Sequence, residues 1–486
     1  MEDIKQKVFS NLIWRLAERI GAQLVSFIVS IVLARILSPD DYGIIALVSV
    51  FTTIMQVFVD SGLGNALIQK KDADDIDFST VFYTNIVFCI TLYLIIFVSS
   101  PLIAKIYNNE SLIAITRVLG LTIIISGVKN VQQAYVSRKM IFKKFFFATL
   151  MGTVGAGILG IALAISGAGV WALVAQQLFN LTMDTIILWI TVKWRPKKVF
   201  SFSRLKGLFS YGWKLLVSSV IDTVYNNVRQ LIIGKIYSSS DLAYYNKAKQ
   251  FPELIVNNVN TSIDSVLLPT MSREQEHKEK VRAMTRRSIK TSIFIMAPLM
   301  MGLAFTANNI VTLLLTDKWS SCVPYLIVFT ITYMFWPIHT ANLNAIKAMG
   351  RSDLFLKLEI IKKIVGVVLL LITFKISVWA MALSLLVSSI ISQIINSWPN
   401  WKLLNYSYVQ QLKDILPSII LAIVMGLIVY LINFLHLSTL ITLIIQIILG
   451  ATIYIGVSKI LKFESFNYVL DILKNLKNKR KIEEEK

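Results

Sequence analysis

Histidine and cysteine are nearly missing from this chain, with three His and two Cys among 486 residues. Cys89 sits inside an apolar run and Cys322 beside a short polar break, settings too different to suggest a disulfide or a thiolate metal site. His277, His339 and His436 are scattered without ligand spacing, so no metal centre is expected. A phosphate loop of the GxxxxGKS or GxxxxGKT kind is also missing, which removes the basis for ATP hydrolysis within the chain. Charge is sparse at 16%, against 55% hydrophobic residues. That is more apolar surface than a soluble core of this length can bury.

What the chain does have is long apolar runs, repeated with short polar breaks between them. They are continuous and not segments of about ten alternating residues, so helices that cross a membrane are expected and a β-barrel is not. The start, MEDIKQKVFSNLIWRLAERIG, is too charged and lacks the cleavage pattern of a secretory signal, so the first helix is read as retained. About fourteen spans are expected, beginning near residues 12, 43, 79, 111, 145, 169, 207, 242, 287, 322, 354, 377, 415 and 438.

The net charge of +21 would suggest nucleic acid in a soluble protein, but the basic residues fall mainly on alternate connections. With the amino terminus inside, the outer connections keep only Arg35, Lys105, Lys235, Lys318 and Lys375. This asymmetry predicts an inner membrane protein with both termini cytoplasmic. Inner loops such as KWRPKKVFSFSRLK then face anionic head groups, and no nucleic-acid partner is needed.

The segment NLIWRLAERIGAQLVSFIVSIVLARILSPDDYG returns in outline as SYGWKLLVSSVIDTVYNNVRQLIIGKIYSSSDLA about 200 residues later. Trp14 and Arg15 match Trp213 and Lys214; Arg35, Ser38 and Asp41 match Lys235, Ser238 and Asp241 after a one-residue shift. The second copy comes six spans after the first, so the two share an orientation and predict a pseudo-two-fold along the membrane normal. The expected organisation is a six-helix bundle over 1–193, a basic linker over 194–206 and a second six-helix bundle over 207–400. Two additional transmembrane helices over 401–461 and a cytoplasmic tail over 462–486 complete it.

Residues three and four apart share a helix face. In the first span Arg15, Arg19, Gln23, Ser26 and Ser30 form a stripe, with Glu18 beside the arginines. In the seventh, Lys214, Ser218, Asp222, Asn226 and Arg229 form another. Asn246, Lys249, Glu253, Asn257, Thr261 and Asp264 follow in the eighth, with a weaker stripe of Ser49, Thr53, Gln56 and Asp60 in the second. An ionised side chain at mid-bilayer costs roughly 2.5–3.5 kcal/mol on insertion scales, so such stripes should avoid lipid. They are expected to converge on a water-filled cavity between the halves, although pairs such as Glu18 with Arg15 could simply neutralise each other. Its basic surplus suits an anionic substrate; arginine forks fit phosphate, and Asn and Gln fit sugar hydroxyls. Glu18, Asp60, Asp222, Glu253 and Asp264 are the cavity carboxylates, of which Asp60, Asp222 and Glu253 are candidates for coupling to H+ or Na+. Arg117, Lys129 and Asp184 are read as packing partners or secondary cavity residues.

The runs LARILSPDDYG at 33–43 and FVDSGLGNALIQ at 58–69 resemble the amino-terminal signature of bacterial polysaccharide exporters. These are the Wzx-type oligosaccharide flippases of the multidrug/oligosaccharidyl-lipid/polysaccharide superfamily. The resemblance implies translocation of an undecaprenyl-diphosphate-linked oligosaccharide by alternating access, without a resident cofactor. It also implies contact with membrane lipids, and a polysaccharide polymerase and chain-length proteins as partners. A cation-coupled drug antiporter of the same fold is the alternative. A membrane polymerase or ligase is a third reading, weakened by the short outer loops.

Overall fold

The computed structural model describes residues 20–60, 63–471 and 474, and among these every regular element is helical. The first eight helices are α1 (Ile20–Ile36), α2 (Pro39–Asp60), α3 (Leu63–Gln69), α4 (Asp75–Tyr107), α5 (Ser111–Lys139), α6 (Lys143–Ile165), α7 (Val170–Thr191) and α8 (Phe202–Ile236). There follow α9 (Ser239–Arg273), α10 (Lys278–Phe305), α11 (Ala307–Leu315), α12 (Val323–Met334), α13 (Trp336–Ala348) and α14 (Ser352–Thr373). The last three are α15 (Val378–Leu404), α16 (Tyr408–Leu431) and α17 (Thr439–Ile460). Ten stretches of the described chain are long and apolar enough to cross a membrane. The helix α14 has the length, but Lys357, Glu359, Lys362 and Lys363 lower its apolarity, and α8 and α9 carry the polar stripes. The protein is thus an all-helical, multi-pass membrane protein.

The chain forms two compact units, divided after Ala243. In the first, α4 packs on α5, α6 on α7, and α2 on both α5 and α8. Small residues let α6 and α7 approach closely: a Cβ added at Gly152 would lie 3.0 Å from the Asn180 carbonyl oxygen. An aromatic cluster of Phe78, Phe82, Tyr135, Trp189 and Trp194 closes one end. Trp194 belongs to the non-helical run before α8, where the basic linker was expected. That run is fastened to the start of α4: Trp194 Nε1 donates to Asp75 Oδ1 at 3.2 Å, and Lys197 pairs with Asp75 at 2.7 Å.

Asp74 caps α4, accepting from the backbone N–H groups of Ile76 and Asp77, and Arg204 lies 2.5 Å from its carboxylate. Desolvation opposes ionisation there, but these bonds and the Arg204 charge outweigh it and hold the Asp74 carboxyl below its ordinary range. Whatever stability this brings is present at neutral pH and lost as pH falls through the carboxylate range.

The internal repeat is visible at the helix junctions. Ser38 Oγ donates to Asp41 Oδ2 at 2.6 Å while the Asp41 N–H donates back to Ser38 Oγ at 3.2 Å. The same reciprocal pair joins Ser238 and Asp241, at 2.7 and 3.0 Å. The two junctions also meet: a Cβ on Gly43 would sit 1.8 Å from the backbone oxygen of Ser239. Only a residue without a side chain fits. Replacing Gly43 by valine should therefore lower the melting temperature of the detergent-purified protein or its yield, at a cost of roughly 1–3 kcal/mol or more. A variant that melts like the parent would show that the junctions separate without cost.

In the second unit α10 is central, packing on α12, α13, α15, α16 and α17. Buried amides tie the helices: Asn342 and Gln411 exchange hydrogen bonds at 2.9 and 3.0 Å, and Asn400 Nδ2 donates to Asn342 Oδ1 at 2.7 Å. Asn309 likewise donates to Gln446 at 2.9 Å, joining α11 to α17. Amide networks of this kind hold helices together where apolar association gains little from lipid.

Candidate functional site

The expected site residues divide into three groups, beginning with α8. Ser201 caps this helix by accepting from the Arg204 N–H at 3.4 Å, and 35 residues of helix follow. Lys214, Ser218, Asp222 and Asn226, each four residues apart, are all exposed, whereas Arg229 on the next turn is buried. Lys214 makes no ion pair with any described residue. A row with both charges and an amide therefore stays on the outside of its own unit. Gln23 of α1 is half-buried. Arg15, Glu18 and Arg19, the other members of the first stripe, lie outside the described residues.

The stripe on α9 behaves differently. Tyr333 Oη donates to Glu253 at 2.9 Å, Thr340 Oγ1 to Asn260 at 2.6 Å, and Asn344 Nδ2 to Asp264 at 2.9 Å. Each pair is separated by 80 residues, so α9 runs parallel to α12–α13 in constant register. Lys249 adds an ion pair to Glu253 at 3.0 Å. Glu253 and Asp264 are thus acceptors of an interhelical ladder, while Asn257 remains exposed beside it. Lys247, one position off the stripe, is buried with its ammonium 5.8 Å from the Trp319 ring centroid.

The third group lies wholly in the first unit. Asp60, at the end of α2, accepts from Gln56 Nε2 at 3.1 Å and from Asn130 Nδ2 at 3.2 Å; Asn85 in turn donates to Asn130 at 3.4 Å. Lys129 and Asp184 form an ion pair at 2.5 Å with little exposure of either side chain. Asp60, Lys129, Asn130 and Asp184 line one cavity of about 410 Å³, together with Asn65, Gln133, Ser137 and Thr149. The sequence reading gave Lys129 and Asp184 only a secondary place. The signal was there: one cation and one carboxylate, each alone in an apolar run. Arg117 is separate, donating to Ser100 at 2.9 Å and stacking 4.1 Å above Phe97. Among the described residues no cluster of His, Cys, Asp or Glu has the geometry to hold a metal ion.

Two helical units in which charged rows and a cavity lined by the Lys129–Asp184 ion pair survive among apolar helices define a multi-pass transport-type membrane protein. The chain belongs to the polysaccharide biosynthesis protein family, whose model matches residues 32–324. It is 25% identical over 357 residues to the teichuronic acid biosynthesis protein TuaB of Bacillus subtilis (strain 168), covering 73% of this chain and 74% of that one. It is 22% identical over 365 residues to the lipopolysaccharide biosynthesis protein WzxC of Escherichia coli (strain K12), with 74% and 73% covered. The lipid II flippase MurJ in its inward closed conformation shares the fold, with a TM-score of 0.76 over 93% of this chain and 98% of that one at 16% identity.

Proposed function

We propose that this protein moves an undecaprenyl-diphosphate-linked oligosaccharide from the cytoplasmic to the periplasmic leaflet of a bacterial inner membrane, with both termini cytoplasmic. The observation that carries this reading is the exposed row Lys214, Ser218, Asp222 and Asn226 on α8, a 35-residue helix that the sequence leads us to expect in the membrane. Such a row is too costly to face lipid, and its exposure on its own unit supports a hydrated path. The family match and the flippase named among the solved structures support the same direction. The ammonium of Lys214, with Arg15 and Arg19, contacts the diphosphate; Gln23, Asn226 and Asn257 offer amides to sugar hydroxyls. Alternating exposure of these groups to the two membrane faces carries the head group across while the polyprenyl chain stays in lipid.

Coupling to H+ or Na+ falls to carboxylates. Asp60 and Asp222 serve as candidates, and Glu253 and Asp264 have a structural route, since protonating either weakens the acceptor that Tyr333 or Asn344 now uses. A polymerase and chain-length proteins would act on the product.

Deleting the gene should cause the complete lipid-linked repeat unit to accumulate, protected from periplasmic probes, while surface polymer disappears; mass spectrometry of extracted lipids reads both. Restoring the gene should reverse the change. Unchanged lipid intermediates with a new sensitivity to cationic dyes would overturn the proposal in favour of drug export.

A further inference from the structure

The second unit contains a lined space whose residues are not among those assigned above to the substrate path. The carboxyl-terminal part of α9 and the amino-terminal half of α10 border a groove of about 500 Å³. An adjoining space of about 420 Å³ shares Ile263, Thr291 and Ser292 with it. The groove's bed is apolar, with Ile263, Val266 and Leu267 on α9, and Val266 is 66% exposed. Ser288 and Thr291 place hydroxyls along the α10 wall, and Lys280 and Arg287 also line it.

Most of the charge around this groove is already neutralised. Arg286 pairs with Asp414 through two bonds of 2.7 Å, Lys280 with Glu274 at 2.8 Å, and Lys290 with Glu464. Arg287 differs from its neighbours. Its guanidinium stacks over Tyr468 at 4.9 Å from the ring centroid, its side chain is exposed, and it forms no ion pair among the described residues.

We propose that this groove binds an anionic diacyl phospholipid, with the phosphate on Arg287 and one acyl chain along Ile263, Val266 and Leu267. A cation held in no ion pair of its own beside an apolar slot complements a molecule that joins a phosphate to a hydrocarbon chain. The planar fork of arginine suits phosphate oxygens. The hydroxyls of Ser288 and Thr291 complement the ester and glycerol oxygens of a phospholipid, which a bare polyprenyl chain does not carry. Placing this end in the cytoplasmic leaflet, where anionic head groups are abundant, rests on the orientation proposed above.

The test is native mass spectrometry of the purified full-length protein exposed to phosphatidylglycerol or to phosphatidylcholine with identical acyl chains. Phosphatidylglycerol should be retained about fivefold better, and Arg287→Ala should remove that preference, the effect of about one cation near a membrane surface. Val266→Trp should remove adducts of both lipids by filling the slot with the charge intact. Arg282→Ala, which removes a cation 3.9 Å from Glu279, should leave the preference unchanged. Equal retention of the two lipids, or a preference that survives Arg287→Ala, overturns the proposal. Displacement of phosphatidylglycerol by stoichiometric undecaprenyl phosphate also overturns it, by assigning the groove to the carrier lipid. The readout is adduct mass on purified protein, so its failure leaves the export reading standing, and a failed export assay leaves the adducts to be judged on their own.

Discussion

Lys214→Ala is expected to lower export of the lipid-linked oligosaccharide by about ten- to a hundredfold while the protein still accumulates in the membrane at its normal level. The expectation follows from where Lys214 sits and from what it does not do. It is exposed on α8, it pairs with no described carboxylate, and no hydrogen bond of the described structure depends on it. Removing it should therefore cost the fold little. If its partner is a substrate diphosphate, a charge-assisted hydrogen bond of roughly 1.5–3 kcal/mol is lost, which corresponds to that range in rate or affinity. Lys214→Arg should retain most export, because a cation of similar reach remains. Lys197→Ala is the control. Its pair with Asp75 is exposed on both sides, at 63% and 46%, and such surface pairs contribute about 0–1 kcal/mol. Normal export by a well-inserted Lys214→Ala variant would remove Lys214 from the substrate path.

Much of this architecture is legible in the sequence, and the reason is the bilayer. Each span must satisfy its backbone internally over some 20 apolar residues, so helix positions are written as long runs that chance does not produce. The repeat was legible for a local reason: Ser38 and Asp41, like Ser238 and Asp241, must stand three apart to cap each other across the helix junction. Periodicity placed the α8 row on one face, and Lys214 through Asn226 do share an exposed face. The fate of the α9 row was not legible. Helical spacing aligns Glu253, Asn257 and Asp264, but whether a polar row faces water or another helix depends on the partner. Tyr333, Thr340 and Asn344 lie 80 residues away in runs that read as apolar spans. For the same reason Lys129 and Asp184 looked incidental. Asp184 is the one charge of α7 and Lys129 the one cation in the middle of α5, and only the packing of α5 on α7 brings them to 2.5 Å.

Lys129→Met should be among the most destabilising single changes in the first unit. Lys129 and Asp184 keep only 14% and 11% of their side-chain exposure, and Asp184 Oδ1 is buried without a hydrogen bond, so Lys129 is its principal compensation. Breaking a buried pair by removing one partner costs about 3–5 kcal/mol, because the remaining charge is left in a poorly solvating site. Replacing both partners by apolar residues of similar volume is often neutral, so Lys129→Met combined with Asp184→Leu should recover most of the loss. Thermal unfolding in detergent would compare the single, double and parent proteins. A single variant as stable as the double would mean that water or a neighbouring donor already solvates Asp184. Export by the double variant then separates two roles that stability alone cannot. A stable double variant that exports normally makes the pair a tie between α5 and α7. One that is stable but does not export makes the pair part of the working cycle, sharing its cavity with Asp60. A tie contributes only to the ground state, whereas a group whose ionisation or partner changes during transport must be present as a charge.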